Sequence, residues 1–252
     1  MEKYISSMLV VTSFLPRIDL NCVEKQRRKL LAMSQKNGVC ERYDDIVEKW
    51  GGKDAAGVIE MYDEWAETYE RDALASEVKH TGRELLVEAL QKIVTDKSVR
   101  ILDFAAGTGV VGELAMQAGF TNIDALDGSE KCLEIARGKN VYKNLITELV
   151  GDDQLKINED TYDVVTCCGG FTLNHLTPTV IPEWIRITKP GGYIFNSFRH
   201  RWLNVDPTLK DGKLEKTIRR LEDEGKWKLI ETTLRKGQAN NTDSILFVHQ
   251  KC

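Results

Sequence analysis

The run Ile101-Leu102-Asp103-Phe104-Ala105-Ala106-Gly107-Thr108-Gly109 decides the fold of this 252-residue chain. An apolar strand bearing one acid turns through small residues and opens into the helix-like stretch Val111–Ala118. Small residues let a backbone approach a ligand closely, and the helix that follows presents free N–H groups. Downstream, short apolar runs alternate with helical ones. The strands expected are Arg100–Phe104, Asn122–Leu126, Ile146–Val150, Asp163–Cys168 and Tyr193–Phe198, several of them continuously apolar, as in parallel strands covered on both faces. Between them the pattern predicts helices at Val111–Ala118, Glu130–Arg137 and Val180–Thr188, with the Pro190-Gly191-Gly192 turn separating the last helix from the fifth strand. A helix at Leu214–Glu224 precedes two strand-like runs, Trp227–Leu234 and Ser244–His249, which read as a closing hairpin. Such alternation predicts an α/β fold: a doubly wound, mostly parallel seven-stranded sheet with an antiparallel C-terminal edge hairpin.

Upstream, Ala55–Ile93 is helical in period, with Met61, Trp65 and Tyr69 on one face and Leu85, Leu86, Ala89, Leu90 and Ile93 on a second stripe. Residues 1–40 show no sustained period, and Met33 is a candidate alternative start. The expected division is an N-terminal extension over 1–40, a helical segment over 41–96 and the α/β core over 97–252.

Composition narrows the function classes. Hydrophobic residues make up 42% and charged residues 29%, an ordinary globular balance. Lys plus Arg number 35 against 39 Asp plus Glu, a net charge of −4 that argues against a nucleic-acid partner. The cluster Lys25-Gln26-Arg27-Arg28-Lys29 reads as a solvated helix face, and the apolar run Met8–Leu15 is too short to cross a bilayer. The six cysteines, Cys22, Cys40, Cys132, Cys167, Cys168 and Cys252, form no CxxC pair and no metal spacing. Free thiols fit a reducing compartment. We therefore expect a cytoplasmic protein with no metal and no membrane partner, in which the sequon Asn240-Asn241-Thr242 carries no meaning.

The next acid at a strand end is Asp127, placed to accept hydrogen bonds from ribose hydroxyls. Gly107, Gly109 and Gly112 also satisfy GxGxxG with Asp127 twenty residues on, which fits a nicotinamide-dinucleotide fold. Asp103 separates the two readings. An acid before the glycine turn puts negative charge where a pyrophosphate must sit, and suits a cationic, amine-bearing ligand instead.

The Asp-x-Ala-x-Gly-x-Gly turn is similar to the first motif of class I S-adenosylmethionine-dependent methyltransferases, which usually carry Gly where this chain has Ala105. Asp127, Gly151-Asp152-Asp153, Tyr162-Asp163-Val164-Val165 and Thr188-Lys189-Pro190-Gly191-Gly192 agree with that family in order and spacing. The segment from Met61 to Tyr69 resembles the N-terminal lid of the subgroup typified by methyltransferase-like protein 27. The resemblance spans roughly 55–250 and implies a Rossmann-like fold, a helical lid and S-adenosylmethionine as methyl donor. It further implies that Asp103, Ala105 and Gly107 face the methionine end of the cofactor, and that Asp127 holds the ribose hydroxyls. Gly128 would let adenine pack against the chain, and Asp152 or Asp153 would meet the adenine edge, the choice between them open. Cys168 would offer its carbonyl to the cofactor amino group, and Arg83 would meet the carboxylate.

Tyr62, Trp65 and Tyr69 read equally as a core stripe or as lid rings that cover the cofactor and approach its sulfonium. Because Asp63, Glu64, Glu67 and Glu70 line the rest of the helix, the aromatic stripe is its expected sole anchor. Ser129 is the expected cap of the helix after Asp127. His175 is a candidate general base, though a packed or surface histidine is the commoner case, and Cys167 and Cys168 read as core residues rather than nucleophiles. The function expected is methyl transfer by a monomer to an unidentified small-molecule or protein acceptor. With the donor already activated, the protein mainly supplies alignment, and no catalytic residue stands out. A nicotinamide-dependent oxidoreductase is the main rival, weakened by the absence of a Tyr-x-x-x-Lys pair and of a second domain. A cofactor-binding scaffold without turnover is the other.

Overall fold

A computed structural model describes residues 52–75, 81–150, 154–237 and 243–252. The expectations for 1–40, Asp152, Asp153 and the sequon lie outside these residues. Two helices come first, α1 (Ala55–Ala75) and α2 (Thr81–Ile93). There follow β1 (Ile101–Phe104), α3 (Val110–Gln117), β2 (Ile123–Asp127), α4 (Glu130–Gly138), β3 (Leu145–Thr147) and β4 (Tyr162–Cys168). A 3-10 turn at Pro178–Val180 leads into α5 (Ile181–Ile187), β5 (Thr188–Arg199), the short α6 (Trp202–Val205), α7 (Lys213–Asp223), β6 (Trp227–Arg235) and β7 (Ser244–Lys251).

The strands form one seven-stranded sheet in the order β3-β2-β1-β4-β5-β7-β6. β1 pairs in parallel with β2 and β4, and β4 in parallel with β5. β7 runs antiparallel to both β5 and β6, which is the expected edge hairpin. All four residues of β1 are buried because the strand is covered on both faces. The pleat sends alternate residues to opposite sides. Ile101 packs with Leu86, Leu90, Val111 and Phe195, while Leu102 and Phe104 pack with Trp184, Ile187 and Phe198. Asp103 therefore shares its face with Ile101, on the side covered by α2 and α3.

Chain order reverses between β1 and β4. The chain winds one way to β2 and β3 and the other way to β4 and β5, so the crevice at the carboxyl ends of these strands is the topological switch point, where open α/β sheets take ligands.

Two expected boundaries are corrected. The third strand is the three residues Leu145–Thr147, earlier than Ile146–Val150, because pairing with Ala125–Asp127 ends there. The Lys-Pro-Gly-Gly segment is no separate turn. Thr188 already pairs with Tyr162, and the next partners are Val164 and Tyr193, so residues 189–192 bulge out within a single long strand. Lys189 Nζ, 2.8 Å from Asp163 Oδ1, ties the bulge to β4.

His249 on β7 stacks on Trp227 at 3.8 Å between ring centroids with a 12° interplanar angle. Burial holds its imidazole far below the usual 6.5, at about 3. A base depressed on folding stabilises the fold above its unfolded value, and that stability is lost as pH falls below 6.5 toward the folded value. Urea unfolding of the full chain is expected to lose about 2 kcal/mol between pH 6.5 and pH 5 that a His249→Phe variant retains. Parallel pH curves for the two proteins would refute the assignment.

Candidate functional site

At the switch point lies a cavity of about 170 Å³. Gly107 and Thr108 of the turn after β1 form its floor, with Asp127 and Gly128 after β2, and Cys168, Gly169 and Gly170 after β4. Val58, Ile59, Tyr62 and Tyr69 of α1 close it from above, Arg83 of α2 closes one end, and Asn174 and His175 close another.

Of the residues expected at the cofactor, the structure brings Tyr62, Tyr69, Arg83, Ala105, Gly107, Asp127, Gly128 and Cys168 to this one wall. It does not bring Asp103 or Trp65 there. Asp103 is buried beneath the turn, on the α2/α3 side to which the pleat sends it. Its Oδ2 accepts from the Tyr142 hydroxyl at 2.6 Å and its Oδ1 from Thr166 Oγ1 at 3.0 Å. Burial pushes the carboxyl up to about 6 and the nearby Asp127 adds to this, while the two hydroxyl bonds oppose it. At neutral pH the group remains mostly ionised. It acts on the turn through space rather than by touching the cavity.

The glycine pattern has a packing cause. A Cβ on Gly112 would lie 2.4 Å from the Tyr142 ring, so the bare backbone is what lets that ring cross α3 and reach Asp103. GxGxxG here thus serves a tyrosine, and the ionised Asp103 under the turn opposes a pyrophosphate. Ala105 sits at φ 56°, the left-handed region that costs a side chain about 1–2 kcal/mol.

Asp127 closes β2 with both oxygens engaged. Oδ2 accepts from the Gly107 N–H and Oδ1 from the Ser129 N–H, each at 2.8 Å. The Gly128 N–H is a further backbone donor to this carboxylate. Burial raises its affinity for protons, with Asp63 contributing, and the backbone donors hold it down. Ser129 caps α4 as expected, its Oγ accepting from Cys132 N at 3.0 Å. Next to it Gly128 lies open beneath the lid. A Cβ there would meet Ile59 Cδ1 at 2.5 Å and Leu149 Cδ1 at 3.5 Å, so glycine leaves a narrow apolar slot of the kind a planar ring fills.

Arg83 is half-buried and lines the cavity from α2. Its Nη2 donates to the Tyr69 hydroxyl at 3.0 Å, and its guanidinium lies 5.8 Å from that ring's centroid. No carboxylate among the described residues pairs with it. A cation drawn partly out of water gains from an anion beside it. Carboxylate at Arg83, hydroxyls at Asp127 and a flat ring at Gly128 match the three polar and planar parts of S-adenosylmethionine, so the residues present fit that group.

Two parts of the site were missed from the sequence. Tyr142 carries no local signal for its contact with Asp103. The acids of α1, expected to be solvated, divide. Glu64 and Glu67 are exposed, but Asp63 Oδ1 accepts from Ser129 Oγ at 2.6 Å and Lys131 N at 3.2 Å, and Glu70 pairs with Lys139 at 2.7 Å. The lid is therefore anchored by an ion pair and a helix N-terminus as well as by aromatics. Trp65 packs against both Tyr62 and Tyr69, at 6.1 and 4.9 Å between ring centroids, and its Nε1 donates to Asp72. It supports the rings rather than facing the cavity. His175 is half-buried on the cavity wall, and desolvation lowers it to about 4, so it is neutral. Burial raises the thiol of Cys168 to about 12 and that of Cys167 well above its usual range, leaving neither a nucleophile.

A family model described as a methyltransferase domain matches residues 101–192. Human methyltransferase-like protein 27 is 32% identical over 179 residues, covering 70% of this chain and 71% of its own length. The chain belongs to this methyltransferase family. Its fold is shared by the magnesium protoporphyrin IX methyltransferase of Synechocystis, solved with bound S-adenosylmethionine, at TM-score 0.52 and 17% identity over 68% of this chain and 81% of that one. It is also shared by the cyclase SpnF, at TM-score 0.58 and 15% identity over 79% and 97%. The methyltransferase thus has a fold that also hosts other chemistry. No helix among the described residues is long and apolar enough to cross a membrane.

Replacing Ala105 of the methyltransferase by Gly relieves the left-handed strain at some cost in unfolded-state entropy. Ala105→Gly is expected to raise stability by about 1 kcal/mol in urea unfolding, and a loss of stability would show that the Cβ makes a contact worth more than the strain.

Proposed function

We propose that this cavity binds S-adenosylmethionine and that the chain transfers its methyl group to a small-molecule or protein acceptor. The observation that carries the reading is Arg83, a half-buried cation that lines the cavity and forms no ion pair among the described residues, in the same cavity wall as Asp127 with its backbone bonds. Bound here, the cofactor supplies an activated methyl on a sulfonium. Arg83 meets its carboxylate and the Cys168 carbonyl its amino group. Ala105 and Gly107 run beside the methionine portion, with the Asp103 charge beneath them. Asp127 accepts from the ribose hydroxyls, and Gly128, Ile59 and Leu149 sandwich the adenine, whose edge is left to Asp152 or Asp153. The rings of Tyr62 and Tyr69, supported by Trp65, exclude water and offer aromatic faces to a cation. We further propose that the protein acts as a cytoplasmic monomer.

Calorimetry with two ligands tests the site. Arg83→Met is expected to weaken S-adenosylhomocysteine by about 2 kcal/mol, the scale of a hydrogen bond to a charged group, and to leave 5′-methylthioadenosine, which lacks the carboxylate, unchanged. Asp127→Ala should weaken both by about 1–3 kcal/mol. Equal losses of both ligands in Arg83→Met would sink the orientation, and binding of NAD in place of either would favour the oxidoreductase reading.

The lid must open for each exchange of cofactor. Amide exchange over residues 60–70 is expected to slow when S-adenosylhomocysteine binds, and equal protection with and without it would make α1 permanent core.

A further inference from the structure

Resting on the cofactor reading above, we propose that Tyr142 is a positioning residue for the donor. Its hydroxyl keeps the Asp103 carboxylate charged beneath the glycine turn, and that charge raises the affinity of the cavity for a sulfonium relative to the neutral thioether left after methyl transfer.

Asp103 is 1% exposed, so its charge depends on protein donors in place of water. The Tyr142 hydroxyl lies 2.6 Å from its Oδ2. Thr166 Oγ1 lies 3.0 Å from Oδ1 but also 3.4 Å from the Leu102 carbonyl oxygen, and it has one proton to give. The Gly112 N–H, in the first turn of α3, is a further donor to the carboxylate. The phenol makes the shortest of the side-chain bonds. Burial, with Asp103 adding to it, pushes the Tyr142 hydroxyl above the usual range of a phenol, so it keeps its proton and donates. Two glycines open the way for the ring. A Cβ on Gly109 would lie 2.9 Å from Tyr142 Cε2, and one on Gly112 would run into the same ring. The notch between them fixes the hydroxyl on Oδ2.

Strand register carries this charge to the cavity wall. Asp103 is level with Ala125 of β2 and with Thr166 of β4. Two residues farther along those strands stand Asp127 and Cys168, both of which line the cavity. With strands about 4.8 Å apart and a rise of about 3.3 Å per residue, each of their Cα atoms lies roughly 8 Å from that of Asp103. Residues two apart share a face, so the three side chains leave the same side of the sheet. Asp127 adds to the upward push that burial exerts on Asp103, and Asp103 adds to the one that burial exerts on the Cys168 thiol. In S-adenosylmethionine the sulfur joins the ribose to the methionine chain. A ligand held by its ribose at Asp127 and by its amino group at Cys168 carries its sulfur between the two, above the end of β1.

A fixed anion there distinguishes two ligands that differ by a methyl group and one positive charge. Across about 8 Å, at an effective dielectric constant near 20, a unit charge alters affinity by roughly 10- to 30-fold. The charge on sulfur is spent as the methyl leaves, so the anion favours the ground state and adds nothing to the chemical step. Its use lies in exchange: the donor is held and the product let go. The titratable groups facing the pair are Asp127 from β2, Cys167 and Cys168 from β4, and Glu113 from α3, which helps Tyr142 keep its proton. Arg83 of α2 acts in turn on Cys168.

Calorimetry on the full chain tests this with S-adenosylmethionine and S-adenosylhomocysteine between pH 5.5 and pH 9, in the wild type, Tyr142→Phe, Asp103→Asn and the double variant. The readout is the ratio of the two Kd values. Contacts common to both ligands cancel in it, so loosened packing alone leaves it unmoved. Asp103→Asn supplies the baseline, since it retains every other titration, the ligands' included. Against that baseline the wild type is expected to favour the donor about 10-fold at pH 8. It should lose the preference as pH falls through about 6, where Asp103 takes up its proton. Removing a donor to the charged form raises the affinity of the carboxylate for protons. Tyr142→Phe should therefore lose the preference at higher pH, standing about three-fold below the wild type at pH 7 and regaining most of the difference by pH 9. The double variant should match Asp103→Asn. Equal ratios in the wild type and Asp103→Asn at pH 8 would overturn the inference. So would a Tyr142→Phe curve that coincides with the wild-type one, or lies below it by the same factor at every pH. Should Asp103→Asn fail to fold, the Tyr142→Phe and wild-type curves decide alone, since they must part at pH 7 and converge by pH 9. Failure of the wild-type chain to bind either ligand would instead overturn the cofactor reading on which the inference rests.

Discussion

A single buried carboxylate constrains the centre of this molecule. Asp103 lies on the central strand, almost without solvent, and an ionised group there must be hydrogen-bonded or lose its charge. Tyr142, arriving from the segment after α4, and Thr166, from the neighbouring β4, both donate to it. To reach it, the Tyr142 ring passes over α3 where Gly112 leaves room. Requirements usually ascribed to a ligand-binding loop are thus also requirements of one tyrosine hydroxyl. The same carboxylate places negative charge beneath the turn on which the cavity rests, which favours a cationic ligand over a phosphorylated one. Packing and specificity share one cause.

The lid illustrates how polar contacts set the position of an apolar cover. Asp63 sits at the N-terminus of α4, where the free N–H groups and the helix dipole favour an acid, and its partner Ser129 is the residue that caps that helix. Ser129 is itself held by Asp127. A chain of hydrogen bonds therefore runs from the lid through the helix cap to the carboxylate that closes β2. Farther along α1, Lys139 bridges Glu70 of the lid and Glu113 of α3. The aromatic residues between these two anchors are half-buried, which suits surfaces that cover a ligand more than surfaces that form a permanent core.

Family membership and fold carry different weight in reaching a function. The fold is shared with a cyclase as readily as with methyltransferases, so the sheet alone does not name a reaction. What narrows it is the distribution of charge around the cavity: an anion under the turn, a carboxylate held by backbone N–H groups after β2 and a guanidinium on α2 bonded to the Tyr69 hydroxyl. Those charges match one zwitterionic, cationic cofactor from end to end. Elsewhere on the wall Tyr62 and His175 meet in a hydrogen bond between lid and body.

The sequence by itself determined the sheet and its switch point, because those follow from local chemistry: apolar runs long enough to pair, small residues where the chain turns, an acid at the end of β2. It also identified part of the cavity wall, since Ala105, Gly107, Asp127 and Gly128 lie within a turn of strands that local pattern had already placed. Only the tertiary structure decided which way Asp103 points, because the apolar run has no alternation to show which side of a doubly covered strand an acid will face. Only it joined residues far apart in sequence, Tyr142 to Asp103, Asp63 to Ser129 and Tyr62 to His175. Periodicity tells which face of α1 is apolar. Which of its acids finds a helix N-terminus or a lysine depends on the angle at which the whole sheet presents that neighbour, and no local pattern records it. The bulge at residues 189–192 escaped for the same reason: proline and glycine mark a break in the chain, but only pairing with Tyr162 shows that the strand resumes on both sides of it.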